Sequence, residues 1–165
     1  MLARMTSRSV KRAVGIVAAG IALTVLTSAA SAAPECKQLK GKFTLAPIAA
    51  PDCLSTVGLC ANGSYTGSLN GSSLFIGSSL IPTVDTPTTS VVLLTGDNTI
   101  QTGNGTLLTK DAIVLRTTGA GEFAEVDTIV GGTGEWAGAS GQIIGSGTFT
   151  AAGGEGEYHG EVCWS

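Results

Sequence analysis

From Lys40 onward the chain is a succession of short runs in which apolar and polar residues alternate, each broken by Gly, Asn, Asp or Pro after roughly 8 to 14 residues. Alternation of period two is the mark of a strand with one face buried, and a long helical pattern of period 3.6 is missing from this part of the chain. Eight strands are predicted, over 40–46, 63–70, 72–84, 88–101, 105–117, 122–130, 141–150 and 155–164. The links at Asn70-Gly71, Gly103-Asn104-Gly105, 119–121 and 151–154 are short enough for hairpins, so successive strands should pair antiparallel. The expected fold is all-β: an eight-stranded antiparallel up-and-down barrel, closed so that no edge strand is left unpaired. A sandwich is the alternative that local pattern leaves open. A barrel of eight strands has an interior that side chains fill or that holds one small ligand.

One segment has wording of its own. VDTIVGGTGEWAGASG, from Val126 to Gly141, joins two strand patterns through Gly131, Gly132, Gly134, Gly138 and Gly141. These glycines are expected to form a structural corner in which the backbone turns with positive φ or passes close to a neighbour, with Trp136 and Ala139 plugging a barrel end. A dinucleotide-binding finger also uses clustered glycines, but it opens a helix, whereas here 142–150 returns to strand alternation.

Residues 1–32 have the order of a secretory signal peptide: Arg4, Arg8, Lys11 and Arg12, an apolar run from Val14 to Leu26, then small residues with a cleavage site after Ala32. The apolar run is shorter than the roughly 20 residues of a spanning helix. Lys11-Arg12 lacks a paired arginine, which favours a Sec-type route. The expected organisation is a signal peptide over 1–32 and a single barrel domain over 33–165, secreted, periplasmic or at the cell surface, with no membrane attachment after cleavage. Beyond the cut, five basic residues face all 12 acids, a formal charge of −7, which argues against nucleic acid as a partner.

All four cysteines, Cys36, Cys53, Cys60 and Cys163, lie beyond the cut. An even count in a small exported domain predicts two disulfides. Of the three pairings, Cys53 with Cys60 and Cys36 with Cys163 is favoured, the first clipping a local loop and the second tying the first strand to the last. No metal or other cofactor is expected, since the spacings do not form CxxC knuckles and His159 is the only histidine.

Candidate functional residues are few. In GEYHGEVCW, His159 shares a face with Glu157 and Glu161 and is expected to be exposed. No serine stands in a GxSxG elbow. Glu125 and Asp127 share one face of their strand, and their expected place is the solvent side. In LLTKDAIVLRT, by contrast, Asp111 shares a face with Leu107, Ile113 and Leu115, while Lys110 and Arg116 take the other. A carboxylate among apolar residues destabilises unless it is hydrogen-bonded or hydrated. Asp111 is therefore either an aspartate satisfied by its surroundings or a lumenal group that binds a ligand's polar end or acts as a catalytic acid or base. Tyr65, Phe75 and Tyr158 are the aromatic candidates for lining a ligand-binding lumen, with plain core as the competing reading.

The corner, the terminal strand and, more loosely, residues 52–71 resemble the dirigent and allene oxide cyclase-like barrels, in an exported bacterial-type form. The resemblance implies an eight-stranded barrel with an apolar lumen and supports the local disulfide. Dirigent proteins steer the coupling of bound reactive intermediates without performing the oxidation; allene oxide cyclases fold a fatty-acid epoxide into a cyclopentenone. This chain lacks the acidic DDPLT-like segment of plant dirigents, so the resemblance carries the barrel and not the reaction. The expected function is a disulfide-stabilised barrel that binds or shields a small apolar or aromatic ligand. A lumenal isomerase or cyclase using Asp111, and a structural or surface barrel with a solid core, including a homo-oligomer, are the alternatives.

Overall fold

A computed structural model describes residues 34–86 and 90–164, with the backbone alone at Val84 and Asp85. The expected signal peptide lies outside the described residues. Eight strands form in sequence order: β1 (Glu35–Pro47), β2 (Cys60–Gly67), β3 (Gly71–Asp85), β4 (Ser90–Thr102), β5 (Gly105–Arg116), β6 (Glu122–Gly132), β7 (Ser140–Thr150) and β8 (Gly153–Trp164). Each pairs antiparallel with the next and β8 pairs with β1, so the sheet closes into an up-and-down barrel. Closure places Leu39 opposite Gly160 and Phe43 opposite Gly156 across the final seam.

Pleating sends alternate residues inward. Leu39 and Phe43 of β1, Val92, Leu94 and Ile100 of β4, Leu107 and Leu115 of β5 and Phe123 and Ile129 of β6 are buried, while intervening residues face solvent. All five basic residues of the described chain lie on the outside, where Lys42 pairs with Glu157, Lys110 with Asp97 and Arg116 with Glu122.

The glycine corner seals one end. After β6, a single 3-10 turn, Gly134–Trp136, carries Trp136 into the barrel, where it is buried beside Ala139. The indole Nε1 donates to Thr102 Oγ1 at 2.9 Å, and the ring stacks on Trp164 with centroids 6.0 Å apart. Gly134 has φ +61°, and a Cβ there would lie 3.0 Å from Gly105 Cα. Gly132 matters for a different reason: its φ is not positive, but a Cβ would lie 2.6 Å from Trp136 Cβ. The corner therefore depends on conformation and on close approach to Asn104 and Gly105 at Gly134, and on close approach alone at Gly132. No helix follows it, as a nucleotide-binding finger would require.

Tyr158 completes the same end. Its hydroxyl accepts from the Leu69 amide at 2.7 Å and donates to the Thr66 carbonyl at 3.0 Å, pinning the β2–β3 turn into the barrel. Both expected disulfides are present. Cys36–Cys163 staples β1 to β8 at the plugged end, and Cys53–Cys60 clips the loop between β1 and β2 at the other. The cysteines are all paired.

Candidate functional site

At the end opposite Trp136 the lumen stays open as a cavity of about 50 Å³, walled by Leu45, Leu59, Ala61, Tyr65, Phe75, Leu94, Ile113, Leu115, Phe123 and Phe149 and floored by Asn98, Asp111 and Glu125. Loop residue Leu59, beside the Cys53–Cys60 disulfide, forms part of the mouth. Two glycines make the space: the Phe75 ring lies where a side chain of Gly96 would be, and the Glu125 side chain crosses Gly145, whose Cβ would sit 2.8 Å from Glu125 Cγ.

Asp111 lies where its alternation puts it, buried in the lumen. It is not alone. Glu125 and Asp127 of β6 also point inward, and Asp127 is only 2% exposed. Their expected solvent side is thus corrected: β6 turns Phe123, Glu125, Asp127 and Ile129 to the lumen and leaves Val126 and Val130 on the surface, 39% and 53% exposed. β-Branched residues fit the pleated, half-exposed outer face of a strand, while an acid can enter an apolar interior by keeping its proton. Antiparallel register was the signal that could have located the pair. Asp111 sits directly opposite Asp127 across β5–β6, so an inward Asp111 requires an inward Asp127. Asn98 and Thr109, not singled out from the sequence, share the inward parity of Leu94 and Leu107 on their own strands.

These groups form one network. Thr109 Oγ1 donates to Asp111 Oδ1 at 2.5 Å, Asn98 Nδ2 donates to the Tyr65 hydroxyl at 3.5 Å, and Asp111 faces Asp127 across β5–β6. Burial pushes Asp127 up to about 10, aided by the charges of Glu125 and Asp111 and by the Asp111 carboxyl beside it, so Asp127 keeps its proton at neutral pH. Burial lifts Asp111 to about 6, with the Thr109 and Asn98 hydrogen bonds holding it lower than its partner. Burial, then the charge of Asp111, raises Glu125 to about 8. Tyr65 is raised as well, by burial and then by the three carboxyls. At neutral pH the floor thus carries one carboxylate and two neutral acids.

Of the other sequence candidates, Tyr65 and Phe75 line the cavity, whereas Tyr158 does not: its hydroxyl is committed to the β2–β3 turn, and it belongs to the plug. His159 is exposed on β8, as its alternation predicts. Cys36, Glu161 and Cys163 come close enough together to hold a metal, but both sulfurs are spent in the disulfide. Among the described residues the three lumenal acids do not bring their oxygens within the 4.8 Å span of a common ion site.

The fold and site define a closed eight-stranded barrel whose lumen is plugged at one end and opens at the other onto an acid-floored pocket. No family model, no curated protein and no solved structure matches the chain.

Proposed function

We propose that this is an exported barrel that takes the end of a small, mainly apolar molecule into the open end of its lumen and shields it there. The observation that carries the reading is the division of the lumen: apolar walls lead to a polar floor at one end only, as in sites that bury a ligand's body and orient it by a few polar groups. A cavity of about 50 Å³ has room for about four water-sized groups. It admits a terminal group and the start of a chain or ring, with the remainder held in the mouth by Leu59, Leu115 and Phe149. The signal-like N-terminus and the two disulfides support export into an oxidising compartment.

Uptake of a panel of fatty and phenolic fluorescent probes tests this against Leu59→Trp, a loop substitution that narrows the mouth and leaves the strands untouched. Saturable uptake by the parent, reduced about tenfold or more in the variant, is expected. Absence of uptake by the parent would leave a structural barrel as the surviving reading.

An ionised Asp111 beside a protonated Glu125 favours a second reading: an isomerase or cyclase in which Asp111 takes a proton from one carbon of the bound molecule while Glu125 returns one to another, after which Asp111 gives its proton up and Glu125 regains one through solvent, so that neither the composition of the molecule nor the enzyme is changed. Asp111→Asn separates the two. A binding barrel keeps its uptake, whereas an acid-base enzyme keeps binding and loses turnover by roughly two to four powers of ten.

A further inference from the structure

The floor of the pocket holds an acceptor that no donor of the protein reaches. Asn98 Oδ1 and Asp127 Oδ1 are buried with no hydrogen-bond partner, in residues only 6% and 2% exposed. The two shortages differ in kind. A carboxyl can meet a lack of donors by keeping a proton, but a carboxamide oxygen cannot, so Asn98 needs a donor brought from outside. No donor of the protein reaches it: every basic residue of the described chain is on the outer surface, and the polar side chains lining the cavity, Tyr65 from β2, Asn98 from β4, Asp111 from β5 and Glu125 from β6, place none within hydrogen-bond distance of that oxygen. The walls just above are the faces and edges of Tyr65, Phe75 and Phe123, surfaces that attract a cation.

We infer that the ligand's buried end is a protonated primary amine carried on a slender apolar chain. This rests on the pocket-binding reading above and adds the chemical class. An ammonium has three donors and no acceptor, the complement of the unpartnered Asn98 oxygen beside the Asp111 carboxylate, both of which line the cavity. Its size matches a cavity of about 50 Å³. A bare metal ion fits less well, because the three acids do not converge on one point. Arrival of the cation stabilises the charged carboxyls, so Glu125 gives up its proton to solvent as the ammonium enters; the bound state has gained a cation and lost a proton, and affinity rises with pH as that release becomes easier.

Calorimetric titration of the purified protein at pH 8 with hexylamine, 1-hexanol and sodium hexanoate, matched in chain, tests the inference. Hexylammonium is expected to bind about tenfold or more tightly than hexanol and hexanoate weakest of the three, with proton release shown by a heat that depends on the buffer, and with hexylammonium affinity falling from pH 8 to pH 5. Asn98→Leu and Glu125→Gln should each weaken the amine about tenfold more than they weaken hexanol. If a variant fails to fold, the ranking of the three probes on the parent still decides. Hexanol or hexanoate binding as tightly as the amine, or sodium or calcium displacing the amine at equal concentration, would overturn the amine assignment while leaving the pocket in place. Binding of none of the three would remove the pocket reading itself.

Discussion

The two ends of the barrel are built from the same alternating strands and solve opposite problems. At the plugged end Leu39, Leu69, Ile100, Leu107, Ile143 and Val162 are fully buried around Trp136, and the polar atoms that enter with them are satisfied: the indole Nε1 by Thr102 and the Tyr158 hydroxyl by the β2–β3 turn. At the open end Asn98, Asp111, Glu125 and Asp127 are gathered under an apolar mouth, and two of their oxygens are unpartnered. Burial of unpaired polar groups is destabilising, so the second end costs stability that the first supplies. That contrast supports placing the proposed site at the open end, because a barrel needing only to be solid has no use for three acids in its lumen.

Breaking the plugged end should have the largest effect. Replacing Cys36 and Cys163 by alanine opens a loop spanning 127 residues and is expected to lower stability by about 5 kcal/mol, whereas removing Cys53–Cys60, seven residues apart, should lower it by about 2.5 kcal/mol and loosen the mouth near Leu59. Chemical denaturation of the two double variants gives the comparison directly. Equal losses would mean that the seam does not depend on its staple.

Next in size is Trp136→Ala, expected to lower stability by roughly 3 to 5 kcal/mol with the pocket and its binding behaviour kept, since Trp136 lines no part of the cavity. At the corner itself, Gly134→Val should lower stability by about 1 to 3 kcal/mol because its backbone has φ +61°. Gly132→Val tests close approach to Trp136 instead of conformation, so Gly132→Ala should already be harmful. Melting curves that match the parent would contradict the corner's role.

The open end should show itself through pH. Glu125 and Asp127 have folded-state values of about 8 and about 10, above the ordinary carboxyl range, so the folded protein binds more protons than the unfolded chain once pH exceeds about 4. Stability linked to them is greatest below that range and falls as pH rises toward 8 and beyond, by an amount on the order of a few kcal/mol. Asp127→Asn should flatten this decline by removing the charge, and denaturation midpoints measured from pH 5 to pH 9 check it. A parent barrel that gains stability over that interval would show the acids to be ionised.

Most of the fold was legible because strand alternation and turn residues are local signals. The eight strands fall within a few residues of their expected bounds, and the largest departures, at β1 and β2, come where pairing with β8 and β3 extends or shifts short patterns. Asp111 was legible too, as an acid in an apolar phase. Glu125 and Asp127 were not, because on β6 both faces carry apolar residues, Val126 and Val130 on one and Phe123 and Ile129 on the other, so charge alone misassigns the phase. What decides it is non-local: the hairpin register that sets Asp111 against Asp127 and Leu115 against Phe123. Tyr158 was misplaced for a similar reason, its hydroxyl being claimed by a turn 89 residues away in sequence.

The reading turns on Glu125 and Asp127 keeping their protons beside a charged Asp111. Carboxyl carbon NMR on protein labelled at Asp and Glu side chains, titrated from pH 4 to pH 10, tests it most directly. The account predicts that Asp111 titrates near 6 and that Glu125 and Asp127 keep their protons at pH 7, with values near 8 and 10. All three carboxyls titrating together below pH 5 would contradict it.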